Sequence, residues 1–244
     1  MDFETPAASW AGSSGPLFLD EAQKLRDAAL KQKDFDKTFM VSQKLGAKTR
    51  AELQQWGGGP SKQALWAYRG DVYDGLDIDS LVPKHKEKIE ESIRVISGLY
   101  GYVRPTDTIE RYRLEMRTKI AGEWGSNLYD FWGNKIVEAL LAESPDFIVN
   151  ATSEEYMKSI RKFLPPDLPI ITPKFLQIYP DGSKKDVTIF TKRARGVFAR
   201  WAITCGAHKA EELNRFSLDG YIFDIEASGI ASPVFQRVLP PPKS

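Results

Sequence analysis

A short segment at residues 147–158 carries polar and charged side chains directly after an apolar run, Phe147 to Val149. This pattern predicts a buried strand that ends in a turn and continues as a helix. Polar groups at such a junction lie at a rim, beside unpaired backbone N–H groups that favour anions. The segment therefore predicts a binding or catalytic rim. Its candidate residues are Ser153, Glu154, Glu155, Tyr156 and Lys158.

A structural interpretation of the same segment stands beside the functional one. Thr152 and Glu155 have the spacing of a capping box, in which Thr152 caps the helix and Glu155 reaches back to it. Helix starts are far commoner than active sites, so this segment alone favours the structural interpretation.

Residues 111–117 alternate between apolar and charged side chains. Period two predicts a strand with one buried face and one strongly basic face. Arg113 and Glu115 lie on the charged face, where the carboxylate would orient a guanidinium toward an anionic ligand. A solvated strand edge is the alternative.

Residues 184–209 contain seven basic side chains against one acid, Asp186. The cations flank the predicted start of a helix, where the helix dipole disfavours them unless an anion is bound. This segment predicts a polyanion site. Cys205 continues the apolar stripe of the helix and is expected to be a core thiol. The basic residues are Lys184, Lys185, Lys192, Arg193, Arg195, Arg200 and Lys209.

Two helices are predicted around Gly46, one over residues 34–45 and one that begins at Thr49 as a capping box. A tight glycine turn between helices can present its amides and neighbouring cations to a phosphate backbone. A purely structural joint is the alternative. The candidate DNA-binding residues are Lys44, Gly46, Lys48, Thr49 and Arg50.

Composition restricts the remaining possibilities for this chain of 244 residues, whose formal net charge is +1. One cysteine excludes an intramolecular disulfide, and two separated histidines argue against a zinc site. No apolar run approaches membrane-spanning length, and the N-terminal residues, with an acidic Asp2, lack the charged-then-apolar pattern of a signal peptide. The sequence thus predicts a soluble cytoplasmic protein without a metal or cofactor.

The remaining elements come from periodicity and turn residues. Helices are predicted at residues 18–29, at 62–68, after Pro83 with Ile89, Ile93 and Ile96 as its stripe, at 128–140, and from residue 154 to about 163. Strands are predicted at residues 170–179 and 186–191, around the turn at 180–183, and at 234–238. Residues 240–244 are expected to form an extended or disordered tail.

Seven short segments together resemble the bacterial peroxide stress protein YaaA family. They follow the family's order over nearly the whole chain. The segments are residues 68–76 (YRGDVYDGL), 97–105 (SGLYGYVRP), 112–116 (YRLEM), 128–133 (LYDFWG), 150–156 (NATSEEY), 194–196 (ARG) and 220–223 (GYIF).

The resemblance implies a single mixed α/β domain over residues 1–239, with a central mixed sheet surrounded by helices. It also implies a helix-hairpin-helix element, a basic cleft, binding to double-stranded DNA, and a role in limiting damage by peroxide and iron. Family members usually begin with a strand that ends in Ser-Pro-Ala-Lys, and this sequence is expected to lack that strand and its cleft lysine. Besides the rim at residues 153–158, the expected cleft residues are Arg69, Arg113, Glu115, Lys192, Arg195 and Tyr221.

Two functions stay open at this point. The first is a DNA-binding stress protein. The second is an enzyme acting on a small anionic or nucleobase-like substrate, in which Glu115 or Glu155 is the base and Tyr156 or Tyr221 the proton donor. No spacing identifies a nucleophile with its base, so no reaction follows. An iron site would require carboxylates such as Glu154 and Glu155.

Overall fold

The computed structural model describes residues 1–238, and its combination of helices and strands confirms the mixed α/β class. The predicted tail at residues 240–244 lies outside the described residues. Within residues 1–238, no helix is both long enough and apolar enough to cross a membrane.

The α-helices among these residues are distributed along most of the chain. They are α1 (Leu19–Leu30), α2 (Phe35–Phe39), α3 (Gln43–Gln55), α4 (Ala64–Ala67), α5 (Asp71–Leu76), α6 (Lys86–Ser92), α7 (Leu128–Trp132), α8 (Lys135–Leu141), α9 (Glu154–Arg161) and α10 (Thr188–Cys205). Short 3-10 helices lie at Ile78–Ser80, Pro83–His85 and Ala210–Arg215.

The strands form one four-stranded sheet, in the order β8-β7-β10-β9, and three two-stranded sheets. β1 pairs antiparallel with β4, β2 antiparallel with β3, and β5 parallel with β6. The strands are β1 (Ser61–Gln63), β2 (Val95–Ser97), β3 (Gly101–Val103), β4 (Thr108–Glu110), β5 (Ile148–Val149), β6 (Ile170–Ile171), β7 (Lys174–Ile178), β8 (Lys184–Lys185), β9 (Ile222–Phe223) and β10 (Val234–Val238).

The described residues form two compact units. Unit 1 comprises Met1–Tyr68, Glu90–Ser144 and Ser153–Leu164. Unit 2 comprises Arg69–Ile89, Pro145–Thr152 and the chain from residue 165 to residue 238. A single domain over residues 1–239 stays a prediction.

In unit 1, the hairpin of β2 and β3 turns at residues 97–101, as the sequence predicts. Gly101 has a positive φ of 68°, and a Cβ there would lie 2.4 Å from the ring of Trp132. Trp132 is fully buried and donates from Nε1 to the carbonyl of Gly98, 3.0 Å away. The tryptophan thus holds the glycine turn against the core.

In unit 2, the core forms around Phe175 on β7, whose ring contacts Phe198 of α10, Phe216, Tyr221 and Phe235 at centroid distances of 5.2 to 6.0 Å. The predicted turn at residues 180–183 joins β7 to β8, and β10 confirms the predicted last strand. Of the nine described residues that are buried in this core cluster, five are aromatic.

The turn predicted at Gly46 is wrong, because Gly46 lies inside α3 and its N–H donates to the carbonyl of Ser42. Helix α2 already ends at Phe39, and its C-cap residue Met40 has a positive φ of 51°. A Cβ at Gly46 would lie 1.6 Å from Oδ1 of Asp36 on α2. The glycine therefore permits close packing of the two helices and does not break one.

The strand predicted at residues 111–117 is also wrong, although the alternation of its side chains is correct. β4 ends at Glu110, and residues 111–117 pair with no neighbouring strand among the described residues. Tyr112, Leu114 and Met116 are nevertheless buried, and the residues between them face outward. An alternation with a period of two shows that the chain is extended and has one face on the core. A β-strand also requires hydrogen bonds to a neighbouring strand.

Several further boundaries differ from their predictions. β1 occupies the beginning of the helix predicted at residues 62–68. The helix after Pro83 ends at Ser92, so Ile96 belongs to β2. Gly133, with a positive φ of 49°, divides the helix predicted at residues 128–140 into α7 and α8.

The predictions around α10 contain two errors. Residues 186–191 do not form a strand, because α10 begins at Thr188 and β8 ends at Lys185. Cys205, expected in the core, is exposed at the end of α10. The buried face of the helix instead passes through Thr191, Ala194, Val197, Phe198 and Ile203.

Candidate functional site

Helix α9 begins at Glu154 with Ser153 as its N-cap, so the predicted capping box with Thr152 is wrong. The N–H and hydroxyl of Thr152 both donate to Oδ1 of Asn150, each at 3.0 Å. The carboxylate of Glu155 accepts a hydrogen bond from the backbone N–H of Arg117 at 3.1 Å. Its carboxylate therefore faces a cationic residue from a distant part of the chain.

Arg117 connects two of the predicted candidates, Glu115 and Glu155. Its Nη2 lies 2.9 Å from Glu115 Oε2, and its Nε lies 3.7 Å from Glu155 Oε2. Arg113 contacts the other oxygen of Glu115 at 2.9 Å. The structure thus brings Arg113, Glu115 and Glu155 together in unit 1, through a residue that the site prediction omitted.

Tyr156 and Lys158 lie on α9 of the same unit. Burial raises the pKa of the Tyr156 phenol, and Tyr112, Glu155 and Glu115 act in the same direction. The phenol therefore keeps its proton at neutral pH and can donate a hydrogen bond, but it is a poor base. Nζ of Lys158 lies over the ring of Tyr129 at 5.1 Å.

A set of hydroxyl groups fixes Tyr112, the buried residue beside Arg111 and Arg113. The Ser97 hydroxyl oxygen accepts the N–H groups of Leu99 and Tyr100, which occupy its two lone pairs. Its proton is therefore donated to Tyr112, 2.6 Å away, whose hydroxyl also lies 2.8 Å from that of Tyr68. Sequence inspection missed this network, whose members come from three separate segments.

We call residues 111–119 the basic segment. Its even-numbered residues, from Tyr112 to Thr118, are buried, and its odd-numbered residues face outward. The outward side carries four cations and one carboxylate, Glu115. The side-chain exposures of Arg113 and Arg117 are 45% and 57%. The four cations are Arg111, Arg113, Arg117 and Lys119.

The other residues predicted for the cleft lie in unit 2. Arg69 donates to Asp79 at 3.4 Å, and Lys192 is exposed on α10. Tyr221 is 1% exposed, and its hydroxyl accepts a hydrogen bond from Gln177 at 2.6 Å. A cleft that combines these residues with Arg113 stays a prediction, as do the catalytic roles of Tyr156 and Tyr221.

Most of the basic run at residues 184–209 has contacts within unit 2. Lys184 pairs with Asp224 at 3.1 Å, and Lys185 lies over the ring of Tyr179. Arg200 donates to the carbonyls of Leu76 and Asp77. These contacts stabilise the fold, so the charge count alone overstates the cationic surface available to a ligand.

The predicted DNA-binding residues on α3 have different surroundings from one another. Lys44 and Lys48 are exposed, whereas Thr49 is fully buried. Arg50 donates to the carbonyl of Leu30, the last residue of α1, at 3.1 Å and to that of Gln32 at 3.2 Å. Its guanidinium also lies 4.4 Å from the ring centroid of Phe35. Arg50 therefore satisfies a helix end in unit 1.

Replacing Arg50 by glutamine should lower the free energy of unfolding by about 2 kcal/mol, because two charge-assisted hydrogen bonds are lost. Urea denaturation measures this change. Lys48→Gln is the control, since Lys48 makes a single surface pair with Glu52 at 4.0 Å. Equal stability of the two variants would contradict the structural role of Arg50.

No group of three or more metal-binding side chains occurs among residues 1–238. Glu154 and Glu155, the carboxylates considered for iron, contact arginines instead. Glu154 lies 3.3 Å from Arg161, and Glu155 pairs with Arg117. Each of the two carboxylates thus has an arginine as its partner within unit 1.

Comparison with known proteins identifies the family. The model of the family described as peroxide stress protein YaaA matches residues 1–227. A UPF0246 protein of Shewanella baltica (strain OS185) is 40% identical over 248 residues, which cover 97% of this chain and 95% of that protein. A UPF0246 protein of Janthinobacterium sp. (strain Marseille) is 38% identical over 251 residues, with the same coverage. The chain therefore belongs to the peroxide stress protein YaaA family.

Proposed function

We propose that this protein limits oxidative damage by peroxide and iron by binding double-stranded DNA through the basic segment. The proposal places the protein in the cytoplasm, with the DNA it covers. Family membership supports the role in peroxide stress. The observation that carries the DNA-binding part is the outward row of cations at Arg111, Arg113, Arg117 and Lys119.

The buried residues of the segment hold this row in place. Met116 is fully buried, Thr118 is 1% exposed, and Leu114 is 3% exposed. The carbonyl of Leu114 would lie 2.2 Å from a Cβ at Gly98, so the segment packs tightly on the β2–β3 turn. Because the backbone is already ordered, phosphate binding costs little conformational entropy beyond that of the side chains.

Glu115 orients the row and limits its charge. Its two oxygens contact Arg113 and Arg117, which keeps both guanidinium groups on the outward side. Both arginines remain about half exposed, so their other N–H groups face solvent. Arginine donates several N–H groups at once and can bind a carboxylate and a phosphate together.

Affinity for duplex DNA should fall steeply as salt rises, because each neutralised phosphate releases counterions. Engagement of all four cations predicts a log–log slope of about −3.6, from roughly −0.9 per phosphate. Fluorescence anisotropy with labelled duplexes of unrelated sequence measures the slope and should give similar values for each. Undetectable binding at ~50 mM salt, or an affinity independent of salt, would falsify the proposal.

A further inference from the structure

A polar cluster in unit 2 lies where two parallel strands end. β5 and β6 pair through Ile148 with Ile170 and through Val149 with Ile171. The next residue after each strand is polar, Asn150 after β5 and Thr172 after β6. In α/β proteins, ligands bind beyond the carboxyl ends of parallel strands, so this edge is a suitable position for a site.

The cluster is held by its own hydrogen bonds and by Arg195 of α10. Asn150 is 5% exposed, and its amide nitrogen lies 3.4 Å from the hydroxyl of Thr172. Its amide oxygen accepts the N–H and hydroxyl of Thr152. The carbonyl of Thr152 then accepts Nη1 of Arg195 at 2.8 Å. Three residues from two segments, Asn150 with Thr152 and Thr172, are thereby connected to the guanidinium of Arg195.

Arg195 carries a charge that the described residues compensate only in part. Its Nε is shielded from solvent and has no hydrogen-bond partner within residues 1–238. Burial lowers the pKa of its guanidinium, and the charge of Asp186 opposes that change. A shielded donor without an acceptor costs free energy, which an oxygen ligand at Nε would recover.

We propose that Arg195, with Asn150, Thr152 and Thr172, forms a binding site for a phosphate group, either free or as a monoester. The guanidinium offers a planar pair of N–H donors to two oxygens of one anion, as in other arginine–phosphate pairs. The hydroxyl of Thr172 accepts a hydrogen bond from Asn150, so its own proton can be donated to an oxygen of a tetrahedral group. This site lies in unit 2 and is argued from residues other than those of the basic segment.

Arg193 provides a matched control on the same helix. It is exposed, two residues from Arg195, and its removal changes the net charge by the same amount. Arg195→Gln removes the guanidinium of the proposed site, whereas Arg193→Gln leaves it unchanged. Arg195→Lys keeps the charge but loses the planar pair of donors.

Isothermal calorimetry with inorganic phosphate and adenosine monophosphate tests the site, with acetate as the third ligand. The unchanged chain and Arg193→Gln should bind phosphate or the monoester more tightly than acetate. Arg195→Gln should weaken that binding at least about tenfold, and Arg195→Lys should weaken it less. Preference for the monoester over inorganic phosphate would identify the source as a nucleotide-like ligand, and the reverse would identify free phosphate.

Thermal melting without ligand shows whether each variant is folded. The increase in melting temperature on adding phosphate shows binding even if Arg195→Gln has a lower melting temperature without ligand. Equal phosphate affinity in Arg195→Gln and Arg193→Gln would overturn the site. No phosphate or monoester binding by the unchanged chain would do the same. A measurement of duplex-DNA binding separates this proposal from the proposed DNA-binding function. Arg195→Gln should bind DNA as tightly as Arg193→Gln does. A loss of DNA binding in Arg195→Gln alone would contradict a separate small-ligand site.

Discussion

Replacing Gly196 by alanine should lower the free energy of unfolding of unit 2 by about 3 kcal/mol, because the added methyl group has no space. A Cβ at Gly196 would lie 1.9 Å from the carbonyl oxygen of Val72 and 2.6 Å from the N–H nitrogen of Leu76. Both are backbone atoms of α5, so no side chain can move aside. Gly75, on the opposite helix, meets the backbone of Arg193 equally closely at 2.1 Å.

Gly58→Ala is the control for this substitution. A Cβ at Gly58 meets only the carbonyl oxygen of Gln55, at 4.0 Å, and its φ is not in the positive range. Alanine there should leave stability unchanged or raise it slightly, by up to about 1 kcal/mol. Denaturant unfolding followed by tryptophan fluorescence compares the two variants, since Trp201 lies on α10. Equal midpoints would show that α5 and α10 can separate without cost.

Turns that depend on a few adjacent residues were predictable from the sequence. The turn at residues 180–183 joins β7 to β8, and the turn at residues 97–101 joins β2 to β3. Pro180 has a restricted φ, and Gly182 and Gly101 permit the positive φ that their turns require, so both turns have a local sequence signal. The helix at residues 18–29 agrees with α1 for a similar reason, since its apolar spacing extends over three turns.

Features that depend on a distant partner were not predictable. Glycine is a helix breaker by its local propensity, so the sequence predicts a break at Gly46. Its place within α3 is explained by Asp36, whose side chain approaches so closely that a Cβ at residue 46 would have no space. Residues 111–117 have the alternation of a strand. The local sequence cannot show whether a neighbouring strand pairs with them, and among the described residues none does. In both cases tertiary contacts decided between structures that local propensity allowed.

The contacts of the candidate site also divide into local ones that the sequence predicts and distant ones that it does not. Arg113 and Glu115 are two residues apart on one side of an extended chain, so their contact follows from the alternation. Arg117 and Glu155 are separated by 38 residues, and Arg195 and Thr152 by 43. The sequence drew attention to Arg195 and to Thr152 separately, but it did not predict that they contact each other. It did not predict the role of Arg117.

Neutralising three cations of the basic segment should abolish most DNA binding. In the variant Arg111→Gln, Arg113→Gln and Lys119→Gln, the log–log salt slope should become shallower by about 2.7, from roughly 0.9 per phosphate contact. Affinity at ~50 mM salt should fall at least about tenfold. Arg117 is left in place because it pairs with both Glu115 and Glu155, and its removal would disturb unit 1.

The matched control removes the same charge from another surface of unit 1. Lys24, Lys31 and Lys33 are exposed on and after α1, and their replacement by glutamine gives the same net charge as the test variant. If both variants lost DNA affinity equally, the attraction would reflect net charge alone, and the basic segment would have no special role. A loss confined to the test variant places the phosphate contacts on residues 111–119.

The test variant and the control variant also show whether DNA binding leads to protection. Each is added to plasmid DNA together with ferrous iron and peroxide. The control variant should reduce strand breakage, and the test variant should not.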